Sequence, residues 1–179
     1  MKRWLVPVLL CFFPFGLYWT GHSWSVQALG FGFLLALLAA HRVSGDPVIG
    51  RSLLCGGLLL LGSSMWFRTA LPLKFYPVMV NGVLLGVFCA SLRVPPTIIE
   101  RIARLRDPAL PPAGVRYTRR VTQMWCVFFL FNGILSLWSI TRSDRVWFWY
   151  NGVIAYVLIG SLFCGEWCVR RRCLERWRG

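Results

Sequence analysis

The stretches VNGVLLG (residues 80–86), FNGILSL (131–137) and YNGVIAY (150–156) place Asn-Gly ahead of Val or Ile three times, each time inside an apolar run. In water, Asn-Gly between hydrophobic runs is the strongest short hairpin signal, and three copies would predict an all-β chain. In a bilayer the same dipeptide has to be helical, because a turn at mid-depth leaves backbone N–H and C=O groups without partners. The surrounding composition decides between these readings.

Of the 179 residues 57% are hydrophobic and 16% aromatic, with a mean hydropathy of +0.61. A soluble domain of this size has too much surface to enclose so much apolar material, so the chain reads as a single integral membrane domain. A helix needs roughly 17–25 apolar residues to cross the hydrocarbon. Six segments approach or meet that length, at about residues 4–20, 24–40, 52–67, 75–92, 121–140 and 146–165, and none carries a charge at its centre. The first follows Lys2 and Arg3 as a signal peptide would, but it ends in the bulky LYWTGHSW and the next apolar run begins at once, so it reads as a retained helix.

All but four of the twenty Lys and Arg residues fall on one side of such a six-span arrangement. The exceptions are Arg68, Lys74, Arg142 and Arg145. By the positive-inside rule both termini are cytoplasmic. The net charge of +14 is then explained by topology and by attraction to anionic lipid headgroups. No nucleic-acid motif accompanies it. The fold expected is an all-α membrane protein: a compact bundle of about six transmembrane helices with one short cytoplasmic interfacial amphipathic helix.

That helix lies in the basic loop at 93–120. Thr97 and Glu100, after Pro95 and Pro96, have capping-box spacing. Ile98, Ile102 and Leu105 follow on one face, with Glu100, Arg101, Arg104 and Asp107 opposite, and the prolines of DPALPPAG close the segment. The loop is either an interfacial strut or a docking surface for an acidic partner, in which Arg101, Arg104, Arg106, Arg116, Arg119 and Arg120 supply charge and forked hydrogen bonds. A basic tail at 166–179 lies on the same side, where Glu166 stands at i, i+4 spacing from Arg170.

Catalytic and metal signals are sparse. HRVSGD sets His41 and Asp46 at the H-x4-D spacing with which acyltransferases orient a histidine base, but the large soluble domain of those enzymes has no counterpart here. Cys164, Cys168 and Cys173 lack both metal-ligand spacing and a nearby His. No metal or other cofactor is expected.

As helical positions, the three Asn-Gly pairs have two readings. Glycine permits a close helix approach and a neighbouring amide can hydrogen-bond across it, so Asn81, Gly82, Gly86, Asn132, Gly133, Asn151 and Gly152 could mark packing seams, with Gly82, Gly86 and Ala90 forming one stripe. Alternatively Asn81, Asn132 and Asn151 converge on a polar cavity.

Three segments, LPLKFYPVMVNGVLLGVFCASL (71–92), RYTRRVTQMWCVFFLFNG (116–133) and WFWYNGVIAYVLIGSLFCGEW (147–167), carry a resemblance over roughly residues 55–172. The chain resembles a family of small multi-spanning inner-membrane proteins of Gram-negative bacteria, encoded among genes for aryl-polyene and related type II fatty-acid-like synthesis. The resemblance implies a place beside acyl-carrier-dependent enzymes and assigns no catalytic residue. With the residues above it points to a non-enzymatic accessory protein or scaffold, whose partner is an acidic acyl carrier protein or an associated synthase. The alternatives are a lipid or polyene transporter or flippase, and a membrane acyltransferase using His41 and Asp46.

Overall fold

A computed structural model of the chain describes residues 47–67, 69, 71–105 and 107–178. The expected spans at 4–20 and 24–40, together with His41, Asp46 and Arg106, lie outside the described residues. Within them the chain forms α1 (Pro47–Phe67), a 3-10 turn (Pro72–Phe75), α2 (Tyr76–Arg93), α3 (Ile98–Arg104), α4 (Pro112–Ile140), α5 (Asp144–Trp149), a π-helical turn (Tyr150–Ile154) and α6 (Ala155–Arg178). There is no strand among the described residues. Asn81 and Gly82 are in α2, Asn132 and Gly133 in α4, and Asn151 and Gly152 in the π turn. The hairpin reading is therefore excluded for all three.

Among the described residues three continuous helical segments are long and apolar enough to cross a membrane: Pro72–Arg93 with 22 residues, Pro112–Ile140 with 29 and Asp144–Arg170 with 27. At about 1.5 Å per residue, each reaches the roughly 30 Å of a hydrocarbon core.

Local chemistry accounts for where these helices begin and end. Pro112 opens α4 at its first turn, where a missing N–H costs nothing. The helix therefore starts inside the stretch at 93–120 that the sequence suggests as loop, and Arg116, Arg119 and Arg120 ride on it. In the same way α6 runs on to Arg178 through the expected tail. Ser143 accepts the Val146 N–H at 3.4 Å to start α5. The Ser64 hydroxyl donates to the Thr69 carbonyl just beyond α1.

Around Thr97 the structure corrects the sequence reading. The Thr97 hydroxyl does accept the Glu100 N–H, at 3.3 Å, but the Glu100 side chain does not complete a capping box. It takes Arg104 instead, with Nε donating to Oε1 at 2.9 Å. Glu100 is also buried, whereas Ile102 and Leu105 are exposed, so α3 packs the side that carries Glu100 against protein. A carboxylate paired with a guanidinium one turn on can sit under the helix.

Helix α4 is the centre. Thr118, Val121, Thr122, Trp125, Phe129, Asn132, Ser136 and Ser139 form its buried stripe, at the three- and four-residue intervals of one helical face. Leu84, Leu85 and Phe88 of α2, Ile99 of α3, and Ile159 and Leu162 of α6 pack on Val121, Trp125 and Phe129. A second cluster, Leu61, Leu73 and Tyr76, joins α1 to the start of α2. Lys74 forms an ion pair with Asp144, and the Trp147 indole donates to the Lys74 carbonyl at 3.2 Å. These contacts bring the start of the α2 segment and the start of α5 to one end of the bundle. Glu166 and the basic start of α4 meet at the other.

Candidate functional site

Two places along α4 gather chemistry. The first is the Asn-Gly level. Asn81 donates to the Pro77 carbonyl at 2.7 Å, as a side chain folded back on its own helix does. Its Oδ1 accepts from Asn132 Nδ2 at 3.1 Å, and Asn132 Oδ1 accepts from the Tyr150 hydroxyl at 2.8 Å. A polar chain thus links α2, α4 and the π turn. Asn151 does not join it. Its amide donates to Ser139 Oγ at 2.9 Å and to the Trp147 carbonyl at 3.1 Å, while its own Oδ1 and Ser136 Oγ are buried without a hydrogen-bond partner among the described residues. Two of the three amides meet directly. The third belongs to a separate cluster farther along the same face of α4.

The glycines divide in the same way. A Cβ placed on Gly133 would lie 3.3 Å from Asn81 Cβ, so α2 and α4 approach closely because that side chain is missing, and Gly152 is buried in the π turn. Gly82 and Gly86 are not at such a seam. Both are exposed, and a Cβ on either would meet nothing within 4 Å among the described residues. Asn81 faces α4, so the next residue points about 100° away along an α-helix and leaves that contact. The close approach that does involve α1 is at Gly56, against Met79 of α2.

The second place is at the opposite end of α4, where α6 reaches it through long side chains. The Trp125 and Phe163 rings lie 4.8 Å apart between centroids, and the Tyr117 hydroxyl donates toward Glu166, 3.3 Å from its carbonyl and 3.4 Å from Oε1. Between the two helices, and closed on one side by α3 and the segment after it, is a cavity of about 670 Å³. Its volume lies within the roughly 300–1,000 Å³ of small-molecule sites. Ile99, Ile102, Val121, Trp125 and Phe163 make the apolar wall, and Tyr117, Asp107, Glu166, Trp167 and Arg170 supply polar and aromatic groups. Among the described residues Glu166 pairs with Tyr117 rather than with Arg170.

The sequence reading of a polar cavity placed it at the asparagines; this cavity lies elsewhere. The spacing of Gly114, Tyr117, Thr118, Val121 and Trp125 on one face of α4 was the available signal, as was Glu166 in an otherwise basic segment. What pattern alone does not show is that α4 and α6 diverge here.

The five described arginines of those suggested for docking do not form one set. Arg101, Arg116, Arg119 and Arg120 are exposed, on the outer side of the turns that line the cavity. Arg101 also donates to the Pro96 carbonyl at 3.0 Å. Arg104 is tied to Glu100 and to the Pro108 carbonyl at 3.2 Å.

Among known proteins, the chain is 29% identical over 112 residues to the inner membrane-spanning protein YciB of Magnetococcus marinus, covering 59% of this chain and 55% of that protein. The chain thus spans about half the length of the curated relative it matches. No family profile matches the chain, and no solved structure does. Together with the three membrane-length helices, this likeness shows an integral, multi-pass protein of the bacterial inner membrane.

Proposed function

We propose that this protein is a six-span accessory component of the inner membrane, with both termini in the cytoplasm, that holds an acyl-like amphiphile in the cytoplasmic leaflet and catalyses no reaction itself. The observation that carries this reading is the cavity between α3, α4 and α6, whose wall is apolar and aromatic and whose polar groups gather on Glu166 and Arg170. Such a site takes a hydrocarbon chain and orients it by one end. The exposed Ile102 and Leu105 on α3 suit a helix lying at the headgroup level. Arg101, Arg116, Arg119 and Arg120 surround the site with positive charge. This would favour anionic headgroups and an acidic carrier protein delivering or receiving an acyl product of aryl-polyene or fatty-acid-like synthesis.

The test is photolabelling in membranes with a diazirine-bearing palmitate, followed by mapping of the adduct. Labelling concentrated on Trp125, Val121 and Phe163 is the expected result. Adducts confined to outward residues such as Val127 and Leu130 would remove the proposal. Replacing Arg101, Arg116, Arg119 and Arg120 by Gln should separately abolish co-purification of an acyl carrier protein, while leaving the labelling in place.

A second reading, transport of a lipid or polyene, is favoured by the π turn at Asn151 and Gly152 and by the buried Asn81, Asn132 and Tyr150 chain, because irregular helix and intramembrane amides recur along substrate paths. It requires that Asn132→Leu stop movement of labelled lipid across reconstituted vesicles at unchanged protein level.

A further inference from the structure

The charges inside the cavity differ in sign from those around it. The whole chain has only six Asp and Glu residues against twenty Lys and Arg, yet Asp107 and Glu166 both line this one space, with Arg170 as the single cation among the described lining residues. Glu166 and Arg170 are one helical turn apart on α6, near enough to pair. Instead Glu166 takes the Tyr117 hydroxyl, and the guanidinium makes no ion pair with a described residue. Tyr117, Trp125 and Trp167 add aromatic faces around the carboxylates.

From this arrangement we infer that the occupant is a zwitterionic aminophospholipid of the surrounding bilayer, with its primary ammonium at Glu166 and Asp107, its phosphodiester at Arg170, and an acyl chain along Trp125 and Phe163. The inference rests on the reading that a hydrocarbon chain fills the cavity, and adds the headgroup.

Carboxylates beside aromatic rings are the chemistry that recognises ammonium. A primary ammonium can also donate hydrogen bonds to both carboxylates. A guanidinium that lines the same cavity and has no ion pair with a described residue is matched by a phosphodiester, which it binds through its forked donors. An anionic lipid or a free fatty acid would satisfy Arg170 but would place its charge against two carboxylates. A soluble polyamine would satisfy the carboxylates and leave the apolar wall unused. The exposed arginines outside attract anionic headgroups without discrimination, so a preference for a zwitterion would have to originate inside the cavity.

The experiment uses the full chain, purified in mild detergent, stripped of lipid and offered equal amounts of phosphatidylethanolamine and phosphatidylglycerol with identical acyl chains. Native mass spectrometry reads which lipid is retained. The expected preference for phosphatidylethanolamine is about tenfold. Glu166→Gln, whose amide oxygen still accepts the Tyr117 hydroxyl, should bring the ratio close to one, and Asp107→Asn should reduce it partway. Arg170→Gln should lower retention of both lipids and leave their ratio in place.

Equal retention by the wild-type protein, or an undiminished ratio in Glu166→Gln, overturns the headgroup assignment. Glu166→Asp, which keeps the carboxylate, guards against loss of fold: it should retain most of the preference, and a ratio of one there also counts against the assignment. If the diazirine palmitate still labels Trp125 and Phe163 while the headgroup ratio is one, this inference alone fails. If it labels neither, the proposed function fails with it.

Discussion

The two ends of α4 solve the same packing problem in opposite ways. At the Asn132 end, small and polar residues face α2 and the π turn. Gly133 allows the backbones to approach until a Cβ would touch Asn81, and the amides bond across the contact. At the Tyr117 end, the Trp125 and Phe163 rings meet between α4 and α6, and both line a cavity. In lipid no hydrophobic force pulls helices together, so close approach depends on small side chains and hydrogen bonds. Where aromatic residues stand in their place, a cavity lies between the helices. One helix therefore carries a structural joint and a candidate binding site.

By that contrast, substitutions at the joint should act on stability in proportion to how close the contact is. The largest effect is expected from Gly133→Leu, which forces a side chain into the 3.3 Å approach and should destabilise by about 1–3 kcal/mol, read as a fall in thermal unfolding temperature in detergent. Asn132→Leu removes two inter-helix bonds. At about 0.6 kcal/mol per bond on average, it should cost near 1 kcal/mol in the same assay.

Asp144→Asn breaks the pair with Lys74 at the far end, where Asp144 is 80% exposed. Its effect should be below about 1 kcal/mol and should shrink further as salt is added. Ser136→Ala removes a buried hydroxyl that has no hydrogen-bond partner, and should change stability by no more than about 0.5 kcal/mol, with a gain as readily as a loss. Gly82→Leu should be equally mild, since that position is open. A Gly82 variant as damaging as the Gly133 variant would break the comparison, because it would mean that exposed and joint glycines are equivalent.

How much of this could be read in advance differs residue by residue. That Asn-Gly is helical followed from the bilayer's demand for satisfied backbone groups, and all three copies are helical. The Thr97 cap was legible from spacing, because a cap is a local interaction within four residues. The Glu100 partner was not. A carboxylate at that position can reach back to the cap or forward to Arg104, and only burial of that face against α4 favours the second. Gly82 and Gly133 stand in the same dipeptide and look alike in one dimension, yet only one lies where two helices meet. Tyr117 and Glu166 are 49 residues apart, so no local pattern connects them.

The amino-acid sequence by itself determined the class of this protein and the helical state of its apolar segments, because in hydrocarbon every backbone polar group has to be satisfied within the segment. The tertiary structure alone decided which amides meet, which glycine is a joint, which carboxylate turns inward and where a cavity opens. These depend on the rotation and separation of helices distant in the chain, which are set by the summed fit of many side chains and by no single local rule.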